Sequence, residues 1–284
     1  MYLLKNKAKG GVGRNTQVYT LFVLKRIHLN SRGNSVILFC GLMLALATAD
    51  LAEGPAVTAS PLADSTQLIV VTTADWSTVD GVLRRYDRAE AGKPWRPVDD
   101  PIPVVVGKKG MGWGIGVSAV PTQGPDDPVK KEGDLKSPAG VFRLGTAFGF
   151  ASKEPSEWKM PYLTLTPTIE CVDDSHSKFY NRVVDRSTVT PDWSSSEHML
   201  SVGEYYRWGV VIDHNPRSRP EAGSCVFLHI WGSDGGGTEG CTAMARPHIE
   251  AILAWLRPAA KPLLVQMPLS QYRQMEKVLN LPPE

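Results

Sequence analysis

The chain has 284 residues, with 31 Lys and Arg against 29 Asp and Glu, and 42% of its residues are hydrophobic. With 26 Gly and 22 Pro, this composition excludes a disordered chain and a helical bundle. It predicts a globular, loop-rich and mainly β protein with a few helices (α+β).

The N-terminal segment has the features of a targeting sequence. Residues 1–49 hold seven basic residues and no acidic one, and an apolar run from Val36 ends in Ala47-Thr48-Ala49. The run is too short to span a membrane comfortably and ends in the small residues that signal peptidase requires. We therefore predict a signal peptide over 1–49 and export to the periplasm or cell envelope. An uncleaved N-terminal anchor is the alternative, and it is the only expected membrane attachment.

Removal of this leader changes the net charge of the protein. Without its seven basic residues, 24 Lys and Arg remain against 29 Asp and Glu, a net charge of −5. No basic stripe with interleaved aromatic residues is present either. Nucleic-acid binding is therefore excluded as a predicted function.

The rest of the chain divides into a linker over 50–67, a catalytic domain over 68–268 and a C-terminal tail or short helix over 269–284. The linker is rich in Ala, Pro, Ser and Thr and has no periodicity. Apolar, β-branched or alternating runs predict strands in the domain. These strands cover residues 68–73, 81–86, 95–98, 102–106, 208–213, 225–230 and 263–265. Helical spacing of apolar residues after Pro247 predicts a helix that ends at Pro258.

Three cysteines remain outside the leader. An oxidising compartment favours one disulfide, and Cys171 with Cys225 is the expected pair, although two buried thiols fit the sequence equally well. Cys241 is expected to stay reduced and reactive.

The most informative segment runs from Leu228 to Cys241. It places His229 at the end of an apolar run, then a glycine-rich loop, and then Cys241 directly after Gly240. A thiol is a useful nucleophile at neutral pH only when a base or a positive charge favours its thiolate. The segment therefore predicts Cys241 as a nucleophile and His229 as its base.

These residues and a second motif resemble the catalytic domain of the L,D-transpeptidase (YkuD-like) family of bacterial cell-wall enzymes. The second motif is Ser137-Pro138-Ala139-Gly140-Val141-Phe142, upstream of the strand that ends in His229. The resemblance covers roughly residues 68–267. It implies an L,D-transpeptidase-like β-sandwich or barrel and acyl transfer on peptidoglycan stem peptides, with no cofactor and no metal.

The resemblance also implies a role for each residue of the motif. Cys241 would attack the carbonyl of a diamino acid in one stem, expel D-alanine and hold the stem as a thioester. His229 would take the thiol proton and later return one to the leaving amine. Gly240 and Cys241 would supply backbone N–H groups to the oxyanion, and Thr238 would shape their turn.

The sequence departs from the family pattern at two positions. Glu239 stands where the family has a histidine, and Ala243 stands where it has an arginine. A carboxylate that faced the thiol would oppose thiolate formation, so Glu239 is expected to face solvent or a substrate amine.

Other residues are weaker candidates. His214 is a second possible base, although a binding-site wall or a hydrogen-bonded turn is its expected role. Several aromatic residues could line a groove, and Trp231 is the best candidate of a set that includes Trp193, Tyr205, Tyr206 and Trp208.

Charged residues are weaker candidates still. Lys136 and Arg246 could bind a stem carboxylate, although both are expected to be ordinary solvated surface charges. Asp173-Asp174-Ser175-His176 could hold a metal, but no second ligand cluster matches it, so a solvated loop is expected.

Two classes of function fit the sequence. The first is the L,D-transpeptidase, with an L,D-carboxypeptidase or related peptidoglycan hydrolase as its variant, because water can replace the acceptor amine at the same thioester. The second is a non-catalytic cell-wall-binding protein. The sequence leaves the oligomeric state open.

Overall fold

A computed structural model describes residues 60–117, 124–150, 158–232 and 236–283. The predicted leader over 1–49, with Cys40, and the first part of the predicted linker lie outside these ranges. In chain order, the strands are β1 (Gln67–Thr73), β2 (Asp80–Asp87), β3 (Arg96–Val105), β4 (Met111–Trp113), β5 (Ser137–Gly149), β6 (Tyr162–Thr164), β7 (Ile169–Val172), β8 (Arg182–Asp185), β9 (Ser196–His198), β10 (Trp208–Ile212), β11 (Phe227–Ile230), β12 (Thr242–Met244) and β13 (Leu263–Pro268). The α-helices are α1 (Arg246–Trp255) and α2 (Leu269–Leu279).

Eight of these strands close into a barrel. Their order is β10, β11, β12, β3, β2, β1, β13 and β5, and β5 pairs again with β10. Strands β4 and β6 attach to β5. Within the barrel most pairs are antiparallel, but β1 with β13 and β11 with β12 are parallel. The attachments of β4 and β6 to β5 are parallel too. The predicted mainly β fold with a few helices is therefore confirmed.

The central strands follow from their apolar composition. Every residue of β1 is buried, and its run Leu68 to Val71 belongs to the barrel core. A continuous apolar run without alternation suits a strand that is covered on both faces. The predicted strands near 68–73, 208–213, 225–230 and 263–265 all form, with bounds shifted by up to three residues.

One pair of predicted strands is in fact a single strand. The segments expected at 95–98 and 102–106 are joined in β3, which pairs with β2 along its length with one register shift. Asp99 lies in this strand with a φ of 56°. Such a residue lets a strand bulge and continue, and the sequence had suggested an interruption there.

Segments on both sides of the predicted catalytic domain pack against the barrel. Leu62, from the predicted linker, is 1% exposed, and the Arg88 guanidinium donates to the backbone carbonyl of Ser65 at 2.6 Å. At the other end, Tyr272 and Met275 on α2 are buried in the barrel core cluster. The folded unit therefore includes residues on both sides of the 68–268 range.

A small three-stranded sheet lies beside the barrel. Strand β7 is central, with β8 and β9 antiparallel on either side. A disulfide joins Cys171 of β7 to Cys225, just before β11, as the sequence predicts. A 3₁₀ segment (Met199–Tyr206) follows β9, and its apolar side chains share a second core cluster with Cys171, Phe227 and Cys241.

Among the described residues, no helix combines the length and apolar character that a membrane span needs.

Candidate active site

The pairing of β11 with β12 places His229 and Cys241 on one face of the barrel wall. Leu228 is in register with Thr242, and His229 with Ala243. Side chains alternate between the faces of a strand. Leu228 faces the barrel interior, so His229 and Cys241 both face outward, toward the small sheet.

A cavity of about 670 Å³ opens on this face. Six of the seven predicted site residues line it: Cys241, His229, Gly240, Thr238, Glu239 and Trp231. The structure thus brings together residues from the end of β11, the glycine-rich loop and the start of β12. Residues 233–235 of that loop lie outside the described ranges.

The Cys241 sulfur is held by backbone groups. The Phe227 N–H donates to Sγ at 3.3 Å, and Sγ lies 3.6 Å from the Cys225 carbonyl oxygen, which can accept the thiol proton. Burial, and after it the nearby Glu197 carboxylate, raise the pKa of Cys241 to about 12. The resting state is therefore the thiol.

His229 is fixed in one tautomer. Its Nδ1 lies 2.8 Å from the Ile230 carbonyl oxygen, which can only accept, so Nδ1 carries the proton and Nε2 is free to accept one. Burial lowers the pKa of His229 to about 4, so the ring is neutral at physiological pH. The Tyr206 ring packs edge to face on it, with the centroids 5.2 Å apart.

Thr238 organises the turn that leads into Cys241. Its hydroxyl donates to the Cys241 carbonyl at 2.5 Å and accepts from the Gly240 N–H at 3.1 Å. Ser137 donates to the same carbonyl at 2.8 Å, which connects this turn to the Ser-Pro-Ala-Gly-Val-Phe motif. The predicted shaping role of Thr238 agrees with these bonds.

The predicted oxyanion donors differ in availability. The Gly240 N–H is bonded to Thr238, whereas the Cys241 N–H has no acceptor among the described residues. Gly240 has a φ of 151°, and a Cβ there would lie 3.2 Å from the Lys136 carbonyl oxygen. Gly240 therefore acts on the turn, and the Cys241 N–H is the donor free to bind an oxyanion.

The Glu239 side chain faces solvent. Its side chain is 82% exposed, and its carboxylate lies 3.6 Å from the Lys108 ammonium. The expectation that Glu239 faces solvent is met.

His214 is the predicted site residue that the structure leaves out of the cavity. It is 2% exposed, its Nδ1 accepts from the Ile115 N–H at 3.3 Å, and its Nε2 donates to the Ala222 carbonyl at 2.9 Å. Both ring nitrogens are thus used by the backbone, and burial lowers the pKa of His214 to about 4. The placement of His214 in the substrate-binding set is corrected to a structural role, the bonded turn.

The cavity lining also includes residues that were not among the predicted site residues, and three of them bear on the thiol: Tyr206, Glu197 and Lys130. The Tyr206 hydroxyl donates to Glu197 Oε1 at 2.8 Å, and burial raises the pKa of Glu197 to about 7. The Lys130 side chain is 4% exposed and donates to Asp134 at 2.6 Å. Of these, only Tyr206 carried a sequence signal, as a candidate groove-lining aromatic.

The weaker candidates lie elsewhere. Lys136 donates to the Lys109 carbonyl at 3.0 Å, and Arg246 pairs with Glu250 on α1 at 2.8 Å. Asp174 accepts from the backbone N–H groups of His176 and Ser194, which holds its loop. Within the described ranges, no three His, Cys, Asp or Glu side chains are grouped as metal ligands.

Comparisons with known proteins add little. No protein-family model and no curated protein matches the chain. The structure of Bd1075 from Bdellovibrio bacteriovorus aligns with a TM-score of 0.37 and 13% sequence identity, over 79% of this chain and 58% of that chain. This chain therefore spans less than two thirds of that protein, and the likeness is too weak to support a functional argument.

Proposed function

We propose that the protein is a cysteine acyltransferase acting on peptidoglycan stem peptides, an L,D-transpeptidase, with Cys241 as the nucleophile and His229 as a general base. One observation carries the proposal. The single free cysteine of the described residues and a neutral histidine line the same open cavity, and the nucleophile is followed by a strand that fixes its position.

The chemistry proceeds through a thioester. A base in the cavity first takes the proton of the Cys241 thiol. The thiolate attacks the carbonyl of the diamino acid in the donor stem, and the Cys241 N–H stabilises the oxyanion of the tetrahedral intermediate. The intermediate then expels D-alanine, whose amine takes up the proton that the thiol gave. An amine of a second stem attacks the thioester and gives its proton to a base such as His229, which returns a proton to the released sulfur.

The charges of the cavity suit a stem peptide. Lys108 and Lys130 line the cavity together with Glu132, Asp173 and Glu197. Stem peptides carry both carboxylates and a side-chain amine, so a wall with both signs of charge offers partners for each. The family has an arginine where this chain has Ala243. Lys130 instead provides a buried cation on this wall.

The disulfide supports the export that we propose. Disulfides persist in oxidising compartments such as the periplasm and are rare in the bacterial cytosol. The Cys171–Cys225 bond is therefore consistent with a protein of the cell envelope, where peptidoglycan is found.

The test incubates the full chain with disaccharide tetrapeptide muropeptides and identifies the products by mass spectrometry. Cys241→Ala removes the nucleophile, and Cys40→Ala is the matched control because it removes a cysteine of the predicted leader. We expect cross-linked dimers that lack one D-alanine from the wild type and from Cys40→Ala, and none from Cys241→Ala.

Other outcomes separate the alternatives. Tripeptides without dimers would identify an L,D-carboxypeptidase. Binding of muropeptides without any product would favour the wall-binding protein. Product formation that survives Cys241→Ala would refute the cysteine mechanism altogether.

A further inference from the structure

The inference below rests on the proposed function and concerns the route of the thiol proton. It starts from the position of Tyr206, which is 3% exposed at the end of the 3₁₀ segment Met199–Tyr206. Its ring contacts three aromatic rings, with centroids 5.3 Å from Phe148, 5.6 Å from Phe227 and 5.2 Å from His229. Packing on three sides fixes the direction of the hydroxyl.

The Tyr206 hydroxyl bonds to a carboxylate, and Tyr206 packs in the same cluster as the thiol. The hydroxyl donates to Glu197 Oε1 at 2.8 Å, and Tyr206 shares the second core cluster with Cys241. The Tyr206 hydroxyl also lowers the pKa of the Cys241 thiol. Burial raises the pKa of Tyr206 well above its ordinary value, so the phenol keeps a proton throughout. A hydroxyl with partners on both sides can accept one proton while it passes on another.

The small sheet places Glu197 beside Tyr206. In the pairing of β7 with β9, Glu197 is directly opposite Cys171, so the two side chains lie on the same face. Cys171 belongs to the cluster that contains Tyr206 and Cys241. The register of the small sheet therefore directs the carboxylate toward the thiol, and the disulfide holds the sheet against the cavity wall.

The two candidate bases differ in strength. The pKa of His229 is lowered to about 4 by complete burial, whereas the pKa of Glu197 is raised to about 7 by burial and then by Asp173 and Glu239. Glu197 is therefore a stronger base than His229. A thiol whose pKa is about 12 transfers its proton more readily to the stronger base.

We infer that the Cys241 thiol proton leaves through Tyr206 to Glu197, with Tyr206 as a catalytic residue and Glu197 as the positioning residue behind it. The S–H bond breaks as its proton binds the Tyr206 oxygen, and the original Tyr206 proton passes to Glu197 Oε1. The negative charge moves from the carboxylate to the sulfur. Before this, the S–H group turns from the Cys225 carbonyl toward Tyr206. Passage in reverse supplies the proton that the leaving amine needs, and His229 Nε2 is left to accept the proton of the second amine.

Several charged groups act on this pathway. Asp173, after β7, and Glu239, in the loop before β12, act on Glu197, and Tyr206 bonds to it. Lys130, after β4, and Glu197 act on the thiol. His229 packs against the Tyr206 ring. We call Cys241, Tyr206 and Glu197 the relay. Variants of the relay must therefore change the proton route without changing these neighbours.

The test measures alkylation of Cys241 in the full chain by iodoacetamide from pH 5 to pH 10, quantified by mass spectrometry of the Cys241 peptide. Wild type is compared with Glu197→Gln, Tyr206→Phe and His229→Gln. Tyr205→Phe is the matched control, because Tyr205 lines the same cavity and is 48% exposed. Circular dichroism establishes that each variant is folded, and either relay variant is sufficient if the other fails to fold.

The relay predicts a rise of the alkylation rate with a midpoint near pH 7 in the wild type, in Tyr205→Phe and in His229→Gln. Glu197→Gln and Tyr206→Phe lose this rise, and their rates at pH 8 fall at least about tenfold. A carboxylate that acted only by its charge would give the opposite result. Removal of the negative charge lowers the pKa of the thiol, so Cys241 would be alkylated faster in Glu197→Gln than in the wild type.

Three results would overturn the inference: no rise near pH 7 in the wild type, a rise that persists in both relay variants, or a rise that disappears only in His229→Gln. Failure of the proposed function is detected separately. Alkylation uses no muropeptide, so it reports on the proton route even if Cys241→Ala leaves the muropeptide products unchanged.

Discussion

Cys225 contacts the nucleophile with its backbone while its side chain is bonded to a different sheet. Its carbonyl oxygen lies 3.6 Å from the Cys241 sulfur, and its own sulfur is joined to Cys171. The φ of Cys225 is 53°, a conformation that few residues other than glycine adopt readily. The disulfide therefore fixes both the small sheet and a strained segment of the cavity wall.

The disulfide should be important for stability. Cys171 and Cys225 are 54 residues apart, and closing a loop of that length stabilises a protein by about 4 kcal/mol in the chain-entropy treatment. We expect the double variant Cys171→Ala/Cys225→Ala to lose a free energy of unfolding of this order in urea denaturation. Cys40→Ala is the control. An unchanged free energy would mean that the small sheet is held by packing alone.

The hydroxyl of Thr238 should be needed for muropeptide conversion. Thr238→Val keeps the shape but removes the bonds to Gly240 and Cys241, whereas Thr238→Ser keeps them. We expect the rate of muropeptide conversion to fall at least about tenfold in Thr238→Val, because the Cys241 N–H loses its orientation, and to stay near the wild-type rate in Thr238→Ser. Equal rates in the two variants would contradict the role of the turn.

Lys130 should favour the thiolate. Its buried ammonium lowers the pKa of Cys241, so Lys130→Met should shift the upper part of the alkylation profile to higher pH and reduce the rate at pH 9 several-fold. The change also leaves Asp134 without its partner and destabilises the fold by about 3 kcal/mol. Lys136→Met is the control, because this lysine bonds the Lys109 carbonyl outside the cavity lining. The same shift in both variants would assign the effect to net charge.

Glu197 should reduce the stability of the fold at neutral and alkaline pH. The pKa of this carboxyl is raised from 4.5 to about 7 in the folded state. A carboxyl with a raised pKa contributes stability that is fully present below its unfolded pKa and is lost as the pH rises through its folded pKa. Glu197→Gln should therefore match the wild type near pH 4 and exceed its free energy of unfolding by about 3 kcal/mol at pH 8.

Urea denaturation at the two pH values checks this prediction. A variant that is less stable than the wild type at pH 8 would show that the ionised carboxylate is stabilised by its contacts rather than strained by burial. A gain in stability together with a loss of thiolate formation would mark Glu197 as a residue kept for function.

The sequence predicted the barrel better than its surroundings. Strands such as β1 and β10 contain continuous apolar runs, and α1 has apolar residues at helical spacing after Pro247, so local pattern was sufficient. The small sheet was not predicted, because β7, β8 and β9 have only three or four residues each. Strands that short carry no measurable periodicity and form through tertiary pairing.

The candidate site was predicted where its residues are close in sequence. His229, Thr238 and Cys241 belong to one segment, and the structure places them in one cavity. Glu197 comes from a distant strand, and its carboxylate had no sequence signal, because its environment depends on the register of β9 with β7. His214 was misplaced for the same reason, since the backbone groups that use both its nitrogens lie on segments around 115 and 222.

The connection between β11 and β12 joins the two strands and also lines the cavity. Parallel neighbours are usually joined by a crossover of a dozen or more residues, most often a helix, but here residues 231–241 make the connection, and residues 231–232 and 236–241 of it line the cavity. A deletion in this connection would pull Cys241 out of register with Phe227. The dimensions of the cavity and the integrity of the strand pair therefore depend on the same few residues.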